Sequence, residues 1–152
     1  MALKDRLKQQ KFTSAQQEAM LGVLSCADAL NRKMEEIIAP YGITAAQYNV
    51  LRILRGVHPD GHPRHEISAR MIQLAPDVTR LIDRLEKQQL VVRGKSDTDK
   101  RLSLTFITDK GLALLTSIEP TLHKFDRQLR KSLPEPDAVV LAKLSDILRE
   151  SV

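Results

Sequence analysis

The chain has 152 residues, with 24 Lys and Arg against 19 Asp and Glu and a formal net charge of +5. That length suits one domain or one domain with an appendage, and no apolar run reaches the roughly 18 residues of a membrane helix, so no membrane partner is expected. The single cysteine, Cys26, excludes an internal disulfide framework; with no charged start leading into an apolar stretch and cleavage site, a cytoplasmic protein is expected. The chain also lacks Trp and has few other aromatic residues. Single-stranded nucleic acid is bound on exposed rings, so a basic chain this poor in them points to duplex contacts.

Ser14 to Ala39 reads as a first long helix, stopped by Pro40 and Gly42. Met20, Val23, Ala27, Leu30, Met34 and Ile37 recur at alternating steps of three and four, a heptad seam that Leu21, Leu24 and Ile38 widen. A second helix opens at Thr44, which with Gln47 has the spacing of a capping box, and runs to about Arg55. The loop 56–63, GVHPDGHP, is rich in turn formers. A short third helix is expected over about Arg64–Ile72, burying Ile67, Met71 and Ile72. Pro76 sits where a fourth helix should begin, with Asp77 in its first turn to suit the dipole. That helix continues to about Gln89, with Val78, Leu81, Ile82 and Leu85 inward and Thr79, Arg80, Asp83 and Arg84 outside.

Leu90 to Gly111, LVVRGKSDTDKRLSLTFITDKG, carries the most information. Two β-type runs flank Gly94–Lys100, which is too polar to bury and must project. In the second run Leu102, Leu104 and Phe106 share one face, and Arg101, Ser103 and Thr105 the other. A cationic hairpin tip directly after a basic amphipathic helix is the arrangement of a winged helix that meets DNA. A fifth helix follows over about Thr108–Lys131, with Leu115, Ile118, Leu122, Phe125 and Leu129 at helical spacing. Pro134 and Pro136 break it, and a sixth helix, about Asp137–Glu150, carries Val140, Leu144, Ile147 and Leu148.

The expected fold is mainly α with a small β-hairpin wing. A winged helix-turn-helix unit spans 42–111, and helices at 14–39 and 112–152 carry seams too large for that unit to cover. A second copy of the chain is the expected cover, giving a homodimer; an intramolecular bundle of the terminal helices is the alternative.

Three segments resemble the MarR family of bacterial transcription regulators. Gly42–Leu54 (GITAAQYNVLRIL) is similar to its second helix, and Thr79–Val91 (TRLIDRLEKQQLV) to its recognition helix and the turn into the wing. Asp99 and Arg101, followed by Ile107-Thr108 and Gly111, match its wing signature, with isoleucine where leucine is usual. The resemblance covers about Leu21 to Phe125. The His- and Pro-rich loop 56–65 departs from it, with a first strand expected near Gly61–Pro63.

The resemblance implies a sequence-specific DNA-binding regulator, usually a repressor, whose partner is double-stranded DNA. Asp77, Thr79, Arg80 and Arg84 would face the major groove, Arg80 as a bidentate guanine ligand and Arg84 toward phosphate. In the wing, Arg93, Lys95, Lys100 and Arg101 would meet the minor groove and phosphates, and Asp99 would orient an arginine. It also implies release of DNA by a small, commonly aromatic or phenolic, anion between the dimer helices and the winged unit. Tyr48 and Arg52, with Leu21 and Leu24 opposite, are the candidates; a core-edge tyrosine and a solvated arginine are the alternative. A redox sensor at Cys26 and a metal site at His58, His62 and His65 are weaker readings, since the histidines lie among prolines with no cysteine near. No cofactor is expected. No catalytic motif occurs, so an enzyme is not expected. A winged helix used as a protein-interaction module stays open as the competing class.

Overall fold

The computed structural model describes residues 3–9, 11–73, 77–96 and 100–151. A short helix α1, Leu3–Leu7, precedes the expected elements. It folds back on the long helix α2, Ala15–Ile38, through Lys4–Glu18 and Arg6–Asp28 ion pairs. Ser14 starts α2 by accepting a hydrogen bond from the Gln17 amide. At its far end the chain tightens into a 3-10 turn over Ala39–Tyr41, and Gly42 turns left-handed at φ 76°, a conformation that costs glycine little.

Helix α3, Ala45–Arg55, begins on the expected capping box: the Thr44 hydroxyl accepts from the Gln47 amide at 3.2 Å, and the Gln47 side chain accepts from the Thr44 amide at 2.9 Å. Its Val50, Leu51 and Leu54 are fully buried and form the centre of the core with Ile38, Ile67, Ile82, Leu85, Leu115 and Ile118. Helix α4 covers only Arg64–Ala69. Ile72 lies beyond it and is 79% exposed, so it is not the core residue that the spacing implied; Met71 is half-buried instead, with its sulfur 3.7 Å from the Asn49 amide nitrogen. Helix α5 is Val78–Lys87, and Pro76, expected as its first residue, lies outside the described residues.

Strands β1 (His62–Pro63), β2 (Val91–Lys95) and β3 (Ser103–Ile107) form one antiparallel sheet in the order β1-β3-β2. Thr105 stands opposite both His62 and Arg93. The face of β3 that carries Thr105 and Ile107 is the buried one, and Ile107 packs beside its partner Val91. Leu104 and Phe106 are half-buried on the opposite face, and Leu102 and Val92 are exposed. The apolar alternation therefore marks the outer face of the wing. Phe106 keeps its ring there by lying against two glycines: a Cβ at Gly61 would come within 2.9 Å of it, and one at Gly94 within 3.0 Å.

Helix α6, Asp109–Ser132, is capped by Thr108, whose hydroxyl accepts from the Gly111 amide at 3.1 Å. Helix α7, Glu135–Glu150, starts two residues earlier than expected, because Pro136 falls in the first turn, where its missing N–H is not needed. No residue of α7 is buried; Val139, Val140, Leu141, Leu144, Ile147 and Leu148 are all exposed. Met20, Val23 and Leu30 of the α2 seam are exposed too, so the single chain does not close these faces into a bundle. Among the described residues no helix is long and apolar enough to cross a membrane.

Candidate nucleic-acid interface

Helix α5 presents the basic surface, and its first turn is organised by one carboxylate. Asp77 is the N-cap rather than a first-turn residue: one of its oxygens accepts from the Arg80 amide at 3.0 Å. The other accepts from the Arg80 Nε at 2.9 Å. This satisfies an orphan donor of the helix and fixes the root of the arginine. The outer edge of the guanidinium remains directed to solvent, and the side chain is 78% exposed. Thr79 and Arg84 are exposed on the same helix. Val78, Ile82 and Leu85 anchor the opposite side in the core. The capping duty of Asp77 leaves its carboxylate little freedom to accept from a base.

The wing arginines divide. Arg93 reaches from β2 across the surface to Asp83 and Glu86 on α5 and is bonded to both. Its backbone amide also donates to Glu86 at 3.1 Å. The hydrogen bond to Asp83, helped by the charge of Glu86, raises its already high pKa. Arg93, expected at the DNA, therefore spends its charge on tying strand to helix. Sequence reasoning missed this clamp; the signal was the pair Asp83 and Glu86, one turn apart on the helix that precedes the strand. Lys95, Lys100 and Arg101 are exposed around the hairpin tip. Asp99, expected to orient an arginine, lies outside the described residues.

Beside α5 lies a cavity of about 380 Å³, within the range of small-molecule sites. Met34, Met71, Ile72 and Leu81 give it apolar walls; Glu35 of α2 with Tyr48 and Asn49 of α3 adds polar groups, as do Asp77, Arg80 and Arg84 at the start of α5. Glu35 also accepts from the Ala45 amide at 3.1 Å, holding α2 to the start of α3. Of the expected effector residues only Tyr48 is part of this lining. Arg52 is bonded to the Asn49 side-chain oxygen at 2.9 Å and faces a smaller cavity with Ile53, Gly56 and Arg70. Leu21 is half-buried and Leu24 exposed farther along α2, away from the lining.

The other sensor candidates do not converge. His58 and His65 are exposed, whereas His62 is half-buried in β1 and its Nε2 meets no hydrogen-bond partner among the described residues. Burial, and then the nearby Arg70, lower its pKa, against a smaller raising effect of Glu66. Among the described residues no three His, Cys, Asp or Glu side chains come together as metal ligands. Cys26 is a free thiol on the exposed side of α2.

Residues 41–102, which take in α3, α4, α5 and the wing's first strand, match the family model described as MarR family. The HTH-type transcriptional regulator MhqR of Bacillus subtilis is 30% identical over 60% of this chain, which spans 62% of that protein's length. The HTH-type transcriptional regulator YwoH of Bacillus subtilis, itself uncharacterised, is 30% identical over 78% of this chain and 84% of its own. The homoprotocatechuate degradative operon repressor of Escherichia coli is 24% identical over 87% of this chain and 86% of its own. Among solved structures, a MarR transcription factor from Planctomyces limnophilus is 37% identical, covering 93% of this chain and 98% of its own at a TM-score of 0.64. The repressor CouR, solved bound to a 23-mer DNA duplex, is 26% identical, covering 91% and 99% at a TM-score of 0.72.

Proposed function

The chain belongs to the MarR family and is a DNA-binding transcriptional regulator, and from that premise we propose that it works as a homodimeric repressor released by a small aromatic acid. The observation that carries the DNA-binding part is the first turn of α5. There Asp77 closes the helix and holds Arg80 by its Nε, leaving the guanidinium's outer edge for a base pair. Arginine offers a rigid fork that matches guanine O6 and N7 in the major groove. Thr79 lies alongside for a thymine methyl or a phosphate, and Arg84, one turn on, for the backbone. The wing carries Lys95, Lys100 and Arg101 to the neighbouring groove, where arginine favours narrow, A·T-rich DNA. The solved complex of CouR with a duplex supports this use of the fold.

The exposed apolar stripes of α2 and α7 support pairing with a second copy. A two-fold pair would present its two α5 helices about one helical turn apart, roughly 34–36 Å, to a pseudo-palindromic operator. The cavity beside α5 supports an effector site, with apolar walls for a ring and arginines for a carboxylate. The relative named for homoprotocatechuate degradation favours an aromatic acid as the ligand class.

The test is fluorescence anisotropy of the full chain on its own upstream intergenic duplex against a scrambled one, at two salt concentrations. Nanomolar preference for the native duplex is expected, with Arg80→Ala losing about 1–3 kcal/mol of discrimination. Arg101→Ala should weaken binding to both duplexes and flatten the salt dependence. Equal binding to both duplexes by the wild type would favour the protein-interaction reading.

A further inference from the structure

We propose that the small aromatic acid and the operator compete directly for Arg80, so that release of DNA is mutually exclusive occupancy of one guanidinium. The inference rests on the effector reading of the cavity and adds how that cavity is coupled to DNA. Asp77, Arg80 and Arg84 line the cavity, and the same residues form the first two turns of the groove-facing helix. Cavity and DNA-reading surface thus share side chains and are not two remote sites.

The fork of Arg80 sets the arithmetic. Its Nε is already taken by Asp77 at 2.9 Å. The remaining edge, the two terminal nitrogens, can take a guanine or a carboxylate bidentately, and not both at once. The exposure of the side chain leaves it room to turn either way. Charge fixes the ligand's direction. The α2 and α3 walls bring Glu35, which would repel a carboxylate, together with Tyr48 and Asn49, which suit a phenolic hydroxyl, whereas the carboxylate at the start of α5, Asp77, is already paired with Arg80. The acid end of the ligand therefore lies against Arg80 and Arg84, and the ring between Met34, Met71 and Leu81. In that pose the ligand neutralises the residue that would otherwise find its guanine.

The probe is homoprotocatechuate, with phenylacetate as a ring acid lacking the hydroxyls. Calorimetry on the free full-length protein should show binding that Arg80→Ala weakens by about ten- to a hundredfold. Protein saturated with operator should give no binding heat. In anisotropy the apparent Kd for DNA should rise in proportion to ligand concentration and never level off. A plateau, or a ternary complex of protein, DNA and ligand, would overturn the competition and leave the cavity reading intact, as would unchanged affinity in Arg80→Ala. Absence of heat with either acid would overturn the cavity reading and this inference with it, while operator binding by the same sample would still stand.

Discussion

Arg93 shows how a charge counted toward DNA can belong to the fold. Its guanidinium joins Asp83 and Glu86 across the strand–helix seam, and removing it would leave two carboxylates facing each other. The group is about one-third exposed, so screening limits its worth. Arg93→Ala should lower stability by about 1 kcal/mol and weaken operator binding, and adding Asp83→Asn and Glu86→Gln should recover the stability lost, read by urea denaturation. Arg93 by itself gave no warning of this role, because a basic strand residue looks alike whether it meets phosphate or a neighbouring acid; only the spacing of Asp83 and Glu86 on the preceding helix pointed to it. His62 is the second residue with a hidden consequence. Its pKa is lowered in the folded chain, so between that value and the ordinary one the unfolded chain binds more protons. Stability is therefore full above the ordinary imidazole value and lost as pH falls toward the folded one. From about pH 7.5 to about 5.5 the wild type should lose more Tm than His62→Gln; an equal loss would place the titration elsewhere.

At the scale of elements, helix starts were the most legible feature. Ser14, Thr44 and Thr108 all cap helices, and each does so by accepting from the amide three residues on. Those signals are local, and so is the physics behind them. The inward face of the wing was not legible, because it depends on what packs from elsewhere. Thr105 is buried by its position between β1 and β2, while Phe106 finds its cover in Gly61 and Gly94 on neighbouring segments. The end of α4 was misread for a related reason: Ile72 continues an apolar spacing but emerges beside the cavity, where nothing among the described residues covers it. The junction of wing and α6 is the tightest point. A Cβ at Gly111 would lie 2.4 Å from the Leu90 carbonyl oxygen and 2.7 Å from Ile107 Cγ1. Gly111→Ala should cost about 2 kcal/mol or more, with a matching drop in thermal denaturation; a neutral outcome would mean that β2 and α6 can slide apart freely.

For the molecule as a whole, the apolar stripes legible in the sequence at both ends of the chain stand uncovered in one protomer, and α7 is their extreme case. Val140→Glu with Leu144→Glu alters only exposed positions, so the protomer should fold nearly as before. Sedimentation should then report a monomer, and operator affinity should fall at least about a hundredfold as two linked contacts become one; a variant that stays dimeric would move the interface off α7. The candidate DNA surface was legible in outline, through Arg80, Arg84 and the hairpin, whereas the cavity was not, since its walls come from α2, α3 and α5 together. The Arg93 clamp has a final consequence for operator choice. With α5 and β2 bolted into one piece, a protomer cannot splay its helix from its wing to suit an ill-spaced site. A spacer one base pair too long or too short must then be absorbed as torsion in the DNA. Operators with altered centres should rank by how cheaply their middle steps over- or untwist, even though no side chain reads those base pairs.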